Sequence, residues 1–258
     1  FVVKKINGLL YFLVQAKIEP GNINLVQLSP TLQATKSNYT RKHGGKEPDY
    51  LSYFLKARNK NILFDSLQSE HSSRFYKKRN RNIIIHVDEE IELKDNYKWM
   101  TLRQIKTLMR HNNLVNMCAR SVISQIRFYD FRAKSISKKN HKNFIEKIPD
   151  KSIFLNSLSS ADESKNSIED IIRIFMKYKS DHFINTKFIP LNNLKGWDLN
   201  SNYIEKRINS EFKIAGISSN LKTREVMNWD QPIIHQNGIG IFGLIGKIIQ
   251  NKLHVIVK

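Results

Sequence analysis

The residues with the clearest chemistry lie in one short segment, QSEHSSRFYKKRNRN, at positions 68–82. Glu70, which can transfer a proton, comes shortly before five cations that fall within the last nine residues of the segment. Arg79 and Arg81 can each hold a phosphate through two parallel hydrogen bonds. The segment therefore predicts one wall of a site for a small phosphorylated molecule. Two alternatives stay open, namely a basic patch for nucleic acid and a solvated basic strand.

A second polar segment, SNYTRKHGG at 37–45, carries the same kinds of side chain. Tyr39 and His43 are of the types that transfer protons, and Arg41 is of the type that binds anions. Taken alone, the segment is equally typical of a polar loop.

The segment just before it, VQLSPTLQAT at 26–35, alternates strictly between apolar and neutral polar residues, as a half-buried strand does. Its polar face, which includes Gln33, carries only amides and hydroxyls. Such groups recognise sugar hydroxyls or the edge of a base, but they also form the hydrated face of an antiparallel sheet. Pro30 predicts a strand at a sheet edge, or a bulge.

The elements that must position these groups follow from apolar periodicity and turn residues. The periodicity predicts one hairpin near each end of the given sequence. Helices and strands lie between the two hairpins, and none of them contains a long apolar run. The pattern predicts a hairpin over 1–18 with its turn at Asn7-Gly8, helices at 50–57, 101–110, 118–126 and from Ile168, strands at 82–87, 181–189, 211–219 and 224–229, and a hairpin over 242–257.

The two hairpins resemble each other, because residues 1–15 align with residues 244–258 through matching lysines, apolar positions and turns. The same element at both ends predicts two copies of one domain. The expected division is the later part of copy one at 1–131, a polar linker at 132–167 and the earlier part of copy two at 168–258.

The composition limits the classes of partner without choosing one. The formal net charge of +20 attracts phosphates of any kind, although Lys, Asn and Ile are abundant along the whole chain, as an AT-rich coding sequence also produces. The single cysteine excludes a disulfide within the chain and fits a reducing cytoplasm. No apolar run has the roughly 20 residues of a membrane helix. No spacing of histidines or carboxylates indicates a metal site.

The GIGIFG segment at 238–243 spells the dinucleotide-binding motif but lacks the helix and the acidic residue that should follow it. We therefore expect its glycines to serve a tight connection between strands.

Four blocks together resemble the family of NDP-hexose 2,3-dehydratases. The resemblance covers nearly the whole chain except 132–167. The blocks occur in the family's order as QLSPTLQATKSNYTRKHGG, QSEHSSRFYKKRNRN, WMTLRQIKTLMRHNNLVNMCARSVIS and REVMNWDQPIIHQNGIGIFG.

The resemblance implies an α+β fold of tandem Nudix-like domains, a homodimer, no metal or redox cofactor and a chain nearly twice this length. The chain also lacks the helix of metal-binding glutamates that defines Nudix hydrolases, which disfavours hydrolysis of that type. Two departures stand out: His71 and Ser72 replace Gln and Gly of the family pattern, and Cys118 replaces an acidic residue.

The implied substrate is dTDP-4-keto-6-deoxyglucose, and the implied reaction removes the C3 proton and the C2 hydroxyl as water. The site then needs a base, an acid, donors for the enolate and cations for the diphosphate. The expected proton-transfer residues are Glu70, Tyr39 and His43. The expected substrate-binding residues are Gln33, Ser37, Asn38, Arg41, Gln68, Arg79, Arg81 and Asn116, with Trp229 and Gln231 in the second repeat.

Two other hypotheses of function compete with the dehydratase hypothesis, and neither of them is an enzyme. One is a basic module that binds nucleic acid, and the other is a noncatalytic binder of nucleotide sugars.

Overall fold

The structure is a computed structural model that describes residues 1–42, 44–126, 153, 157–158, 164–208, 211–222 and 224–257. Packing divides the chain into two units, the first formed by 1–126 with 214–234 and the second by 127–213 with 235–258. Both units combine strands with helices, which confirms the predicted α+β class. The division of the chain into 1–131, 132–167 and 168–258 stays a prediction, and most of 132–167 lies outside the described residues.

The first unit is built on a six-stranded sheet with the strand order β3-β2-β1-β5-β4, in which β6 also pairs with β2. β1 runs parallel to β5, and the other pairs with a known register are antiparallel. β3 ends the strand order, as Pro30 predicts. The strands are β1 Val2–Ile6, β2 Leu9–Ile18, β3 Val26–Pro30, β4 Ile62–Ser69, β5 Arg79–His86 and β6 Tyr97–Thr101.

The hairpin predicted over 1–18 is confirmed. Asn7 and Gly8 occupy its turn with φ of 49° and 82°. Two successive positive φ values suit a two-residue turn between twisted strands, and Asn and Gly adopt them most readily.

Short helices cover this sheet. The predicted helices at 50–57, 101–110 and 118–126 are confirmed, although each is shorter than its periodic pattern. α3 begins with a capping box, in which Thr101 and Gln104 exchange hydrogen bonds with each other's backbone amides. The helices are α1 Lys36–Tyr39, α2 Leu51–Leu55, a 3₁₀ turn at Asn59–Asn61, α3 Leu102–Leu108 and α4 Met117–Ile123.

The core consists of two clusters on opposite faces of the sheet. On one face, Ile84 packs with residues of α3 and α4 such as Ile105 and Ala119. On the other face, Ile85 packs with Leu13 and with the aromatic residues around α2. Since successive residues of a strand face opposite ways, even-numbered residues of β5 point toward α4 and odd-numbered residues point toward α2.

The remaining elements are α5 Ile168–Asp181, a 3₁₀ turn at Leu191–Asn193, β7 Trp197–Leu199, β8 Tyr203–Lys206, β9 Phe212–Asn220, β10 Asn228–Gln236, β11 Ile245–Ile249 and β12 Lys252–Ile256. β7 pairs with β8 and β11 pairs with β12, both antiparallel, while β9 neighbours β10. The predicted closing hairpin is confirmed, with Gln250 and Asn251 in its turn at φ of 49° and 57°. No helix in the described ranges is long and apolar enough to cross a bilayer.

One predicted strand is absent, and two are wrong in extent. Residues 181–189 form no strand, and Phe183 and Ile184 are 92% and 89% exposed, so this stretch lacks the buried face that would hold a strand. Residues 224–227 form bends, and the strand predicted at 224–229 begins only at Asn228. The alternating segment 26–35 is a strand only to Pro30, after which the chain turns into α1.

Candidate functional site

Glu70 lies at the end of β4, on the side of the sheet that faces α4. Asn80 on the neighbouring strand donates a hydrogen bond from Nδ2 to Glu70 Oε2 at 2.7 Å, and the Nζ of Lys78 lies 3.8 Å from the same oxygen. The Glu70 amide also donates to the Lys78 carbonyl at 3.2 Å. The side chain of Glu70 is 17% exposed, so the carboxylate is held in one orientation at the edge of solvent.

The start of α4 lies beside this carboxylate. His71 follows Glu70 in the left-handed region at φ 29°, and its Nε2 lies 2.9 Å from the Sδ of Met117, the first residue of α4. The Oδ1 of Asn116 caps the helix by accepting from the Ala119 amide at 2.8 Å. We call the polar residues around the start of α4 the Glu70 cluster; its members are Gln33, Glu70, His71, Lys78, Asn80, Asn116 and Cys118.

Two residues that the sequence predicts for the substrate, Gln33 and Asn116, contact each other in this cluster. The Nδ2 of Asn116 donates to the Oε1 of Gln33 at 2.7 Å, across 83 positions of sequence. Gln68 belongs to the same face of the sheet, and its Nε2 donates to the Oγ of Ser66 at 2.6 Å. The structure therefore brings Gln33, Glu70 and Asn116 to the same end of α4.

Cys118 is half-buried within the cluster. Burial raises the pKa of its thiol to about 11, and the nearby carboxylates of Glu70 and Glu19 add to the increase. The thiol is therefore neutral at physiological pH and is a poor nucleophile.

The two arginines of the predicted diphosphate site point away from Glu70. Arg79 and Arg81 are odd-numbered residues of β5 and face the α2 side, whereas Asn80 faces Glu70. Arg81 binds Asp65 through two hydrogen bonds, Nε to Oδ1 at 2.8 Å and a terminal nitrogen to Oδ2 at 2.6 Å. These bonds raise the pKa of Arg81 and lower that of Asp65. The fork of Arg81 is thus occupied, while Arg79 is exposed.

The second predicted segment forms α1 and the turn after it. Thr35 Oγ1 lies 2.9 Å from Ser37 Oγ and donates to the Oδ1 of Asn38 at 3.0 Å, so these polar groups are engaged locally. Tyr39 is 40% exposed, and Arg41 is exposed with φ 51°. His43 lies outside the described residues.

Trp229 and Gln231 lie on β10 and contact each other. The indole Nε1 of Trp229 donates to the Oε1 of Gln231 at 2.7 Å, and the guanidinium of Arg224 lies 5.0 Å from the centre of the indole ring. Arg224 is itself anchored by Glu19, with nitrogen and oxygen 2.9 Å apart. A cavity of about 500 Å³ adjoins the indole and is lined by Ser218, Ser219, Asn220, Asn228, Trp229 and Asp230.

Sequence reasoning missed several polar residues of this region. Asn80 was hidden within the basic run, although the alternation of asparagine and arginine at 79–82 shows which residues share a face, and Lys78 was expected beside the arginines and not beside Glu70. Asn82, one pleat further on that face, is only 7% exposed, and its Nδ2 has no hydrogen-bond partner among the described residues. The same ranges contain no group of His, Cys, Asp and Glu that could hold a metal ion.

Comparison with known proteins identifies relatives along most of the chain. The family model described as NDP-hexose 2,3-dehydratase matches residues 1–126 and 168–258. Three relatives bear the name dTDP-4-dehydro-6-deoxy-alpha-D-glucopyranose 2,3-dehydratase. The one from Saccharopolyspora spinosa is 37% identical over 256 residues, covering 99% of this chain and 51% of the relative. Those from Amycolatopsis orientalis and Streptomyces violaceoruber are 33% and 31% identical, over 100% of this chain and 48% and 54% of theirs. The chain spans about half the length of the curated relatives it matches.

Proposed function

The chain belongs to the NDP-hexose 2,3-dehydratase family, and from this premise we propose that the protein removes water across C2 and C3 of a dTDP-4-keto-6-deoxyhexose. The names of the relatives support the substrate class. The main structural support for this reaction is the position of Glu70. Its carboxylate is mostly buried, and Asn80 orients it within the Glu70 cluster.

The reaction follows from the substrate's own electronics. The 4-ketone acidifies the C3 proton, so a base can remove it and leave an enolate. The C2 hydroxyl is β to the ketone and departs as water once an acid protonates it. In this proposal Glu70 moves one of these protons, because Asn80 fixes its oxygen and a fixed carboxylate reacts from a single geometry. Tyr39 and His43 are the candidates for the other proton.

The sugar is proposed to lie against the Glu70 cluster. Gln33, Gln68 and Asn116 carry amides that match hydroxyl and keto oxygens, and they lie on the α4 side of the sheet with Glu70. Ser37 and Asn38 belong to the short helix that follows Gln33.

For the diphosphate, we propose Arg41 as the first partner and Arg79 as the second, which can reach the diphosphate only beyond the end of β5 because its side chain faces the α2 side of the sheet, away from Glu70. Both side chains are exposed, and neither guanidinium is occupied by a carboxylate in the described ranges. Arg81 can join them only if its two hydrogen bonds to Asp65 open.

In the second repeat, Trp229 is proposed to stack on the thymine ring, with Gln231 beside it. The cation of Arg224 above the indole keeps the ring oriented at the edge of its cavity.

Four further features belong to the same proposal. The family resemblance supports two Nudix-like repeats, a homodimer and a reaction without a metal or redox cofactor. The single cysteine supports a reducing cytoplasm.

The test of the function is product analysis. The protein is incubated with dTDP-4-keto-6-deoxyglucose, the product is trapped with a 3-ketoreductase and NADPH, and mass spectrometry looks for the loss of one water. Glu70→Gln should lower turnover by roughly 10²-fold or more and leave dTDP affinity unchanged. The matched control is Glu47→Gln, at an exposed glutamate.

The other outcomes separate the competing functions. Wild-type turnover in Glu70→Gln would remove Glu70 from the mechanism. Tight, selective dTDP binding without turnover would favour a noncatalytic binder. Binding that falls steeply with salt and does not distinguish dTDP from other polyanions would favour a nucleic-acid module.

A further inference from the structure

A second cavity lies at the opposite end of the sheet from Glu70. It has a volume of about 490 Å³ and opens between the chain after α2 and the C-terminal end of β5. From Arg79 to His86, β5 rises about 23 Å, and the cavity is lined by Ile85, which faces α2. The cavity is therefore separated from the Glu70 cluster both along the strand and by the sheet itself.

Part of the lining of this cavity is apolar or aromatic, beside the polar side chains of Ser52, Asn61 and His86, and we call the apolar part the floor. Tyr53, Ala57, Ile85 and Val87 line it, and the last two are 1% and 5% exposed. The floor is also anchored, because the Nδ2 of Asn61 donates to the His86 carbonyl at 3.1 Å and so fixes the 3₁₀ turn to β5. A volume of this size accommodates a small organic ligand.

The rim of the cavity is cationic. Lys56, Arg58 and Lys60 fall within five residues of sequence, line the cavity and are exposed. The one carboxylate of the lining belongs to Glu89. Some other cations of the unit do have carboxylate partners, as Lys4 has Glu90 at 2.5 Å. The part of the chain that the structure describes holds no such partner for the three rim cations.

An apolar floor beneath unpaired cations suits a ligand that joins a flat ring to a phosphate chain. The ring can lie against Tyr53 and the aliphatic side chains, while the phosphates lie between the lysines and the arginine. We propose that this cavity binds a nucleoside phosphate, at a site separate from the one that carries the proposed dehydration.

The test is calorimetric titration of the protein with ADP, adenosine and inorganic diphosphate. The triple variant Lys56→Gln/Arg58→Gln/Lys60→Gln should weaken ADP binding at least about tenfold. Adenosine and inorganic diphosphate should each bind more weakly than ADP, since each lacks one half of the ligand.

A control variant separates a built site from general attraction to a basic protein. Lys177→Gln/Lys179→Gln/Lys187→Gln removes the same charge from exposed positions of the second unit and should leave ADP binding unchanged.

A further variant, Ala57→Trp, fills the cavity without changing its charge and should abolish ADP binding. Unfolding by circular dichroism shows that each variant is folded.

The proposal is overturned if both triple variants lose ADP affinity equally, if Ala57→Trp binds like the wild type, or if the wild type gives no ADP isotherm. Equal affinity for inorganic diphosphate and ADP would refute the proposed contact between the ring of the ligand and the cavity floor. Turnover of the dTDP sugar is expected to be unchanged in the rim variant. A protein that fails the dehydration assay but titrates with ADP would refute the proposed function and leave this site standing.

Discussion

Asn116 offers a direct measure of what holds the Glu70 cluster together. Its side chain makes two hydrogen bonds, as acceptor from the Ala119 amide at 2.8 Å and as donor to Gln33 at 2.7 Å, and the residue is 8% exposed. Asn116→Ala removes both. Loss of a helix cap costs about 1 kcal/mol, and the unmet acceptor on half-buried Gln33 costs about 1 kcal/mol more. We expect a fall of about 2 kcal/mol in the free energy of unfolding.

Companion variants divide this loss into its parts. Asn116→Asp keeps the acceptor that caps α4 and loses the donor, so it should cost about half as much. Gln33→Ala removes the other half of the contact, and a double-mutant cycle with Asn116→Ala should give a coupling of about 0.5–1 kcal/mol. Urea unfolding followed by circular dichroism measures each value. Asn112→Ala, at an exposed position just before the helix, is the control and should stay within about 0.5 kcal/mol.

A loss below about 0.5 kcal/mol in Asn116→Ala would refute the structural role derived from these two bonds. The same set of variants tests the proposed contact with substrate. If Asn116→Asp unfolds like the wild type but no longer binds the dTDP sugar, then Asn116 acts on the ligand and not only on the helix.

Three shorter predictions follow from burial and charge. The raised pKa of Cys118 should make its alkylation by iodoacetamide at pH 8 on the order of 100-fold slower than that of a free cysteine, and the rate should rise toward pH 11. Glu70→Gln removes a carboxylate that disfavours the thiolate, so this variant should increase the alkylation rate of Cys118. Because the pKa of Asp65 is lowered, its ion pair with Arg81 stabilises the fold above about pH 4, and this contribution is lost as the pH falls further. The pair is exposed, so Asp65→Asn should lower the free energy of unfolding by less than about 1 kcal/mol at pH 7. Ile105 is 0% exposed, so Ile105→Ala should cost about 2–5 kcal/mol in urea unfolding.

Each of these has an outcome that contradicts it. An alkylation rate that levels off below pH 9, or that ignores Glu70→Gln, would contradict the environment given for Cys118. A difference between Asp65→Asn and the wild type that persists at pH 2 would not come from the ion pair. For the core, Ile105→Val is the matched control at about 1 kcal/mol, and an equal loss in both variants would indicate that the cavity is not the cause.

Local signals predicted the first unit well. Asn7-Gly8 sets its turn through backbone conformations that few other residue pairs adopt easily, and the apolar run at 82–87 forms β5. The prediction of a strand at 181–189 is wrong because apolar residues alone do not supply a strand to pair with or a face to bury.

The composition of the site was harder to predict than its segments. Glu70 and Arg79 are close in sequence, yet the register that aligns Gln68 with Asn80 places the glutamate and the arginine on opposite faces of the sheet. The contact between Gln33 and Asn116 joins positions 83 residues apart, and no local pattern encodes such a distance. The family resemblance named the candidate segments, while the pairing of strands decided which of their side chains meet.

The parallel pairing of β1 with β5 has a consequence for folding during synthesis on the ribosome. Val2 pairs with Ile85 and Val3 with His86, so β1 gains this neighbour only after more than 80 further residues have been made. At about 5–20 residues per second, the apolar hairpin of β1 and β2 waits roughly 4–16 seconds for its partner. During that interval Val2, Val3 and Leu13, all fully buried in the finished sheet, are open to other chains. A chaperone that holds nascent chains would therefore find a binding surface in this hairpin.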